Sequence, residues 1–122
     1  MTRSLLRLVP LLVAALVPVP LVAQSATIVS QTTAPANKSS CQFHLDRAPT
    51  GVTTIETNTG AGDSWEDKTD DYCVDGGATS SPKLKKKSGT IPTGKKIRIT
   101  VTYVGTTPTT NANETWGTES CD

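Results

Sequence analysis

The chain has 122 residues and an almost balanced charge, with 12 Lys and Arg against 11 Asp and Glu and a formal net charge of +1. This length allows one small domain behind a leader, and the balance excludes an overall charge that would draw the chain to nucleic acid or a membrane. Beyond Ser25 the large aliphatic and Phe side chains number only five Ile, five Val, two Leu and one Phe. A core this small generally needs a covalent staple.

The first 25 residues have the layout of a secretory signal peptide. Arg3 and Arg7 form a basic start, an apolar run covers residues 8–17, and small residues follow it. The uncharged run is shorter than the roughly 20 residues that a spanning helix needs, so we expect no stable membrane span after cleavage. Cleavage is expected after Ser25, or alternatively after Ala23. The sequence therefore predicts a secreted or periplasmic protein.

Residues 26–40 are rich in Thr, Ser and Gln. This composition predicts a flexible linker, with a short first strand over 26–29 as an additional option. One small β domain is predicted to follow over 41–122.

Two short strands are predicted at the start of this domain. Apolar side chains alternate at Cys41, Phe43 and Leu45, which indicates a half-buried strand over 41–46. A second strand is predicted over 52–57, after an Ala-Pro-Thr-Gly turn signal. The two are expected to pair with each other as a hairpin.

An acidic segment over 63–75 follows, with two aromatic residues among its carboxylates. A three-residue strand is predicted at 72–74. Oxygen ligands suit calcium, but the spacing of these acids does not match the EF-hand loop, in which acids alternate around a central glycine. We therefore predict no metal or other cofactor, and retain as weak calcium candidates Asp67, Asp70, Asp71 and Asp75.

A basic stretch comes next, and it ends in the clearest strand of the chain. Residues 80–87 are predicted as a loop, whereas 95–104 are predicted as a strand, with Ile97, Ile99, Val101 and Tyr103 on one face. If residues 88–94 fold back, the cations before and after them share a face that attracts polyanions. The candidate contact residues are Lys83, Lys85, Lys86, Lys87, Lys95, Lys96 and Arg98. Solvated or edge-guarding lysines are the competing interpretation.

The chain ends with a predicted strand over 114–118. No 3.6-residue period is visible beyond the leader. Short strands between Gly, Pro and Asn turns predict an all-β fold, a small antiparallel β-sandwich stapled by one disulfide. The candidates for that bridge are Cys41, Cys73 and Cys121, and any single pairing leaves one thiol over.

The sequence contains little that indicates a catalytic site. His44 is the single histidine, and with Asp46 it could share the polar face of a strand, but no nucleophile motif accompanies the pair. Trp65 and Trp116 are expected in the core, because few other large apolar residues are available. We predict that the protein is not an enzyme.

Two sequons place candidate glycosylation sites at Asn37 and Asn113, if the host modifies exported chains. The predicted function is a small binding or adhesion module that contacts an anionic surface polysaccharide or a protein partner through its Lys-rich face. Nucleic acid is not expected as a partner, because the basic stretch lacks stacking aromatics and the chain is exported. The alternatives are a structural subunit joined into homo-oligomers through the odd cysteine, and a secreted effector or inhibitor of another protein.

Overall fold

The computed structural model describes residues 21–58 and 64–122. Residues 1–20, which are most of the predicted signal peptide, and residues 59–63 lie outside these ranges. Within them, the chain forms two four-stranded antiparallel sheets and a single 3-10 turn over Thr69–Asp71. Both sheets contribute to one core, so the predicted all-β sandwich is confirmed.

Each sheet has four strands. Sheet A contains, side by side, β1 (Ala23–Val29), β7 (Ile97–Val104), β3 (Gly51–Asn58) and β4 (Trp65–Asp67). Sheet B contains, side by side, β5 (Tyr72–Asp75), β6 (Lys83–Lys86), β2 (Ser40–Leu45) and β8 (Thr110–Gly117). In sheet A, β7 is a central strand with partners on both sides.

Strand β7 has the orientation that its alternation predicts. Ile97, Ile99 and Val101 are 0% exposed, and Tyr103 is also buried. The polar residues between them point to the outer face of sheet A, since successive side chains of a strand alternate. In sheet B, Cys41, Phe43 and Leu45 are buried in the same way, as predicted for β2.

The predicted hairpin between β2 and β3 is wrong. The two strands lie in different sheets, because the connection after Leu45 crosses from sheet B to sheet A. Thr50 N donates to Thr102 O at 2.7 Å, which places the start of β3 beside β7 rather than beside β2. Both strands bury apolar side chains in the shared core, but from opposite layers.

Part of the segment predicted as a linker belongs to the folded domain. Residues 26–29 pair with β7 as the second half of β1. Ser30 N donates to Ile97 O at 2.7 Å, and its hydroxyl accepts from Ile97 N at 3.0 Å. Ala34 is 2% exposed and lies in the core. The segment therefore closes one side of the core as it passes from sheet A to sheet B.

A buried carboxylate holds this segment against β8. Glu114 accepts hydrogen bonds from Gln31 N at 3.1 Å, Thr32 N at 2.7 Å and Thr32 Oγ1 at 2.8 Å. Burial raises the pKa of Glu114, but the hydrogen bonds, led by Thr32 N, together outweigh it and leave the pKa below its ordinary 4.5. The ionised form is therefore the one that the fold prefers.

We expect Glu114→Gln to lower the free energy of unfolding at pH 7 by about 2 kcal/mol, because an amide offers one acceptor oxygen where the carboxylate offers two. A depressed folded-state pKa stabilises above the ordinary pKa and ceases to do so as pH falls through the folded value. The difference between the wild type and the variant should therefore shrink below about pH 4.5. Urea unfolding at several pH values measures this, with the exposed Glu66→Gln as control. If the difference in unfolding free energy between the wild type and Glu114→Gln does not change with pH, this prediction is wrong.

The C-terminal segment crosses the end of sheet B and is fixed there by a disulfide between Cys73 and Cys121. Cys121 N donates to Lys86 O at 3.0 Å, and Ser39 Oγ donates to Glu119 O at 2.9 Å. The bridge thus ties the chain end to β5, an edge strand. In the described part of the chain, no helix has the length and apolar character needed to cross a membrane.

Candidate functional site

The lysines of β6 lie on a strand, whereas the sequence predicts a loop there. Each of them is within ion-pair distance of a carboxylate: Lys83 Nζ is 2.6 Å from Glu119 Oε1, Lys85 Nζ is 2.6 Å from Asp75 Oδ2, and Lys86 Nζ is 4.0 Å from Asp71 Oδ2. The predicted acidic and basic segments therefore meet within sheet B and at its edge. Much of the charge that the sequence assigns to a contact surface is balanced inside the fold.

Two of these lysines are also poorly accessible. The side chains of Lys85 and Lys86 are 12% and 14% exposed. The hydrogen bond to Asp75 raises the pKa of Lys85, and Lys86 Nζ lies 5.3 Å from the centroid of the Tyr72 ring. A polyanion would have to displace these partners to reach either ammonium group.

Arg98 is engaged on the outer face of sheet A. Its Nε donates to Glu56 Oε1 at 2.9 Å, and this bond raises the pKa of the guanidinium. The guanidinium carbon lies 4.6 Å from the centroid of the Trp65 ring. Arg98 therefore packs on the indole of Trp65, and Glu56 balances its charge.

The remaining candidate cations, Lys87, Lys95 and Lys96, lie in or beside the loop between β6 and β7. Lys38 joins them from the loop between β1 and β2. Within residues 21–58 and 64–122 none of these four lysines forms an ion pair. We call the four together the basic loop end.

Backbone hydrogen bonds hold the two loops of the basic loop end together. Ile91 N donates to Lys38 O at 2.7 Å, Ala34 N donates to Lys95 O at 2.8 Å, and Gly94 N donates to Ala34 O at 2.8 Å. Gly94 has φ 82°, a left-handed value that favours glycine and lets the loop turn toward Ala34. The lysines therefore lie on or beside two loops that are hydrogen-bonded to each other.

Lys38 is the one member that the sequence did not indicate. It is far from the basic stretch in the chain, but β2 pairs Ser40 with Lys85, and Lys86 N donates to Ser39 O at 2.8 Å. The next residue on each side is Lys38 and Lys87, so the ladder brings these two lysines to the same end. The pairing of β2 with β6 places Lys38 beside Lys87. The sequence does not reveal this, because it predicts a loop where β6 lies.

The weak calcium candidates do not converge. Asp71 and Asp75 pair with lysines of β6, while Asp67 accepts from Thr69 Oγ1 at 2.6 Å and from Thr69 N at 2.9 Å. These two hydrogen bonds lower the pKa of Asp67. Asp70 is in the intervening 3-10 turn. Among the described residues, no group of three or more His, Cys, Asp or Glu side chains is arranged to hold a metal ion.

The unpaired cysteine is Cys41, which is 0% exposed between the sheets. Burial raises the pKa of its thiol, and the charge of Glu114 adds to this effect. A protonated, enclosed thiol is a poor nucleophile and behaves as a small apolar side chain.

The single histidine lies on the outer face of sheet B, with its Nε2 2.8 Å from Thr115 Oγ1. Asp46, suggested by the sequence as a partner for His44, instead binds Arg47 and accepts from Thr109 N at 2.8 Å. The backbone bond from Thr109, ahead of the Arg47 contacts, lowers the pKa of Asp46. The fold therefore gives the two side chains different partners.

The sequon asparagines and the tryptophans are all accessible to some degree. Asn37 and Asn113 are exposed, so both offer their amides to solvent. The two tryptophans are only half-buried, which differs from the core positions that were predicted for them. Trp116 packs against the core and donates to Thr32 Oγ1 at 2.9 Å, whereas Trp65 lies on Arg98.

Comparison of the chain with protein-family models, with curated proteins and with solved structures finds no match.

Proposed function

We propose that this chain is a secreted or periplasmic, non-enzymatic binding module that contacts anionic surface polymers through the basic loop end. The observation that carries the proposal is the division of the lysines into two groups. Those of β6 have carboxylate partners, and those of the basic loop end have none among the described residues. Unpaired ammonium groups on neighbouring loops attract a polyanion even when net charge is near zero.

Two further observations support an exported protein. A disulfide such as Cys73–Cys121 persists in an oxidising compartment. Either expected cleavage site leaves residues 26–29 paired with β7, and Ile28 remains in the core. Signal-peptide removal therefore leaves these pairings and this core contact in place.

The alternative of a subunit cross-linked through the odd cysteine gains no support from the geometry. The unpaired thiol, Cys41, is 0% exposed, and reaching a second chain would require the two sheets to separate. Contact through charged loops requires no such opening.

Salt dependence tests the proposal. We expect the wild-type protein to bind immobilised polygalacturonate, with log K falling against log salt at a slope of about −3 if the four lysines release counterions as on a flexible polyanion. Neutral dextran on the same support is the control. Binding that does not weaken with salt, or failure to bind polygalacturonate, dextran sulfate and polyphosphate alike, would contradict the proposed function.

A further inference from the structure

The outer face of sheet A carries an indole beside the basic loop end. Trp65 pairs with Asn58 across β4 and β3. Asn58 N donates to Lys96 O at 3.2 Å, and Lys96 N donates to Asn58 Oδ1 at 2.7 Å. Trp65 on β4, Asn58 on β3 and Lys96 just before β7 thus form one row across three neighbouring segments of the chain. Because Ile97 points into the core, Lys96 points outward, on the side of the Arg98–Trp65 stack.

The indole is held in place from one side. The Arg98 guanidinium carbon is 4.6 Å from its centroid, within the range of a cation–π contact, and Glu56 fixes the guanidinium by a 2.9 Å hydrogen bond. An aromatic ring that is already positioned loses little freedom when a ligand stacks on it. The half-exposed ring is therefore suited to be a platform rather than a core residue.

Among the described residues, the two acidic side chains that follow Trp65 have partners, and Lys96 has no ion-pair partner. Asp67 accepts two hydrogen bonds from Thr69, and Glu66 Oε2 lies 3.5 Å from Lys68 Nζ. Lys96 forms no ion pair within the described ranges. Two strand spacings, roughly 10 Å, separate the backbones of Lys96 and Trp65, a distance that the two long side chains can span toward one bound group.

Hydroxyl groups occupy the middle of this outer face, and Val29 and Val104 are also exposed on it. Thr27, Thr100 and Thr54 lie opposite one another across β1, β7 and β3, and Thr102 lies in the next row of β7. Hydroxyl groups on this face offer both donors and acceptors to a polymer that extends beyond the indole. Sugar hydroxyl groups have the complementary chemistry.

We propose that Trp65 is the stacking platform of a sugar subsite, so that the polymer bound at the basic loop end is an acidic polysaccharide. A pyranose ring stacks on the indole while its carboxylate or sulfate pairs with Lys96. This inference rests on the proposed function and adds the class of polymer to it.

The test compares polyanions with and without sugar rings. We expect Trp65→Leu to weaken binding to polygalacturonate and dextran sulfate about tenfold and to leave binding to polyphosphate unchanged. Trp116→Phe is the matched control and should bind all three as the wild type does. Comparison of the first two polymers separates carboxylate from sulfate recognition, and melting temperatures report whether each variant is folded.

Fluorescence supplies a second measurement that does not depend on folding of the Trp65 variant. Trp116→Phe leaves Trp65 as the single indole, and its emission should change as polygalacturonate is added. An unchanged emission, unchanged sugar-polymer affinity in Trp65→Leu, or equal loss of polyphosphate binding would overturn the sugar subsite and leave the proposed function standing. Failure of the wild type to bind any of the three polyanions would remove the proposed function itself.

Discussion

Replacing both Cys73 and Cys121 by serine is expected to lower the free energy of unfolding by about 4 kcal/mol. The bridge closes a loop of 48 residues in sequence separation, and closing a loop of that length restricts the unfolded chain by about this amount. The same change frees the C-terminal segment, so the ion pair between Lys83 and Glu119 loses its anchor. Urea unfolding of the oxidised wild type and the double variant measures the difference.

The control for this experiment is Cys41→Ala, which keeps the bridge and removes the buried thiol. This variant should lower the free energy of unfolding by roughly 1 kcal/mol, because the change removes one buried sulfur atom. An unfolding midpoint for the double serine variant equal to that of the wild type would contradict the prediction. So would peptide mapping that finds Cys41 in the bridge.

The strands with alternating apolar residues could be predicted from sequence. β7 and β2 each place an apolar side chain at every second position, and that pattern determines which face is buried. It does not determine the neighbouring strand. The expected β2–β3 hairpin failed for this reason, since both strands meet the same core from different sheets.

The sequence does not predict strand β6, because its composition is that of a solvated loop. Leu84 is its single apolar residue, and lysines surround it. Leu84 is 0% exposed, so one side chain fixes the strand in the core while carboxylates from β5, the 3-10 turn and the C-terminal segment balance the lysines. Those carboxylates are distant in sequence, and no local pattern reveals them.

The candidate site was predicted only in part for the same reason. Lys87, Lys95 and Lys96 stand in the basic stretch and could be identified there. Their separation from the β6 lysines depends on which cations find acids, and the inclusion of Lys38 depends on the β2–β6 register. The ion pairs and the strand register both join residues that are distant in sequence, so no local pattern predicts them.

Removing the unpaired lysines is expected to have the largest effect on binding. The triple variant Lys87→Gln, Lys95→Gln, Lys96→Gln should weaken polygalacturonate binding about a hundredfold, because each lysine near an anionic surface contributes about 1 kcal/mol, or roughly a fivefold change in affinity. These side chains have no carboxylate partners among the described residues, so their charge is available to the polymer.

The strand triple Lys83→Gln, Lys85→Gln, Lys86→Gln is the matched control, because it removes the same number of positive charges. Its effect on binding should stay within about threefold, since each lysine is already offset by a carboxylate in the fold. Circular dichroism of both triples shows whether each is folded. Lys38→Gln added to the first triple should weaken binding further.

The most direct test of the account is the ratio of the dissociation constants of these two triples for one polygalacturonate sample at one salt concentration. If the unpaired lysines form the contact surface, the loop triple binds about a hundredfold more weakly than the wild type, and the strand triple binds nearly as the wild type does. Equal weakening in both triples would mean that only net charge matters. A larger loss in the strand triple would place the contact on β6 and contradict the account.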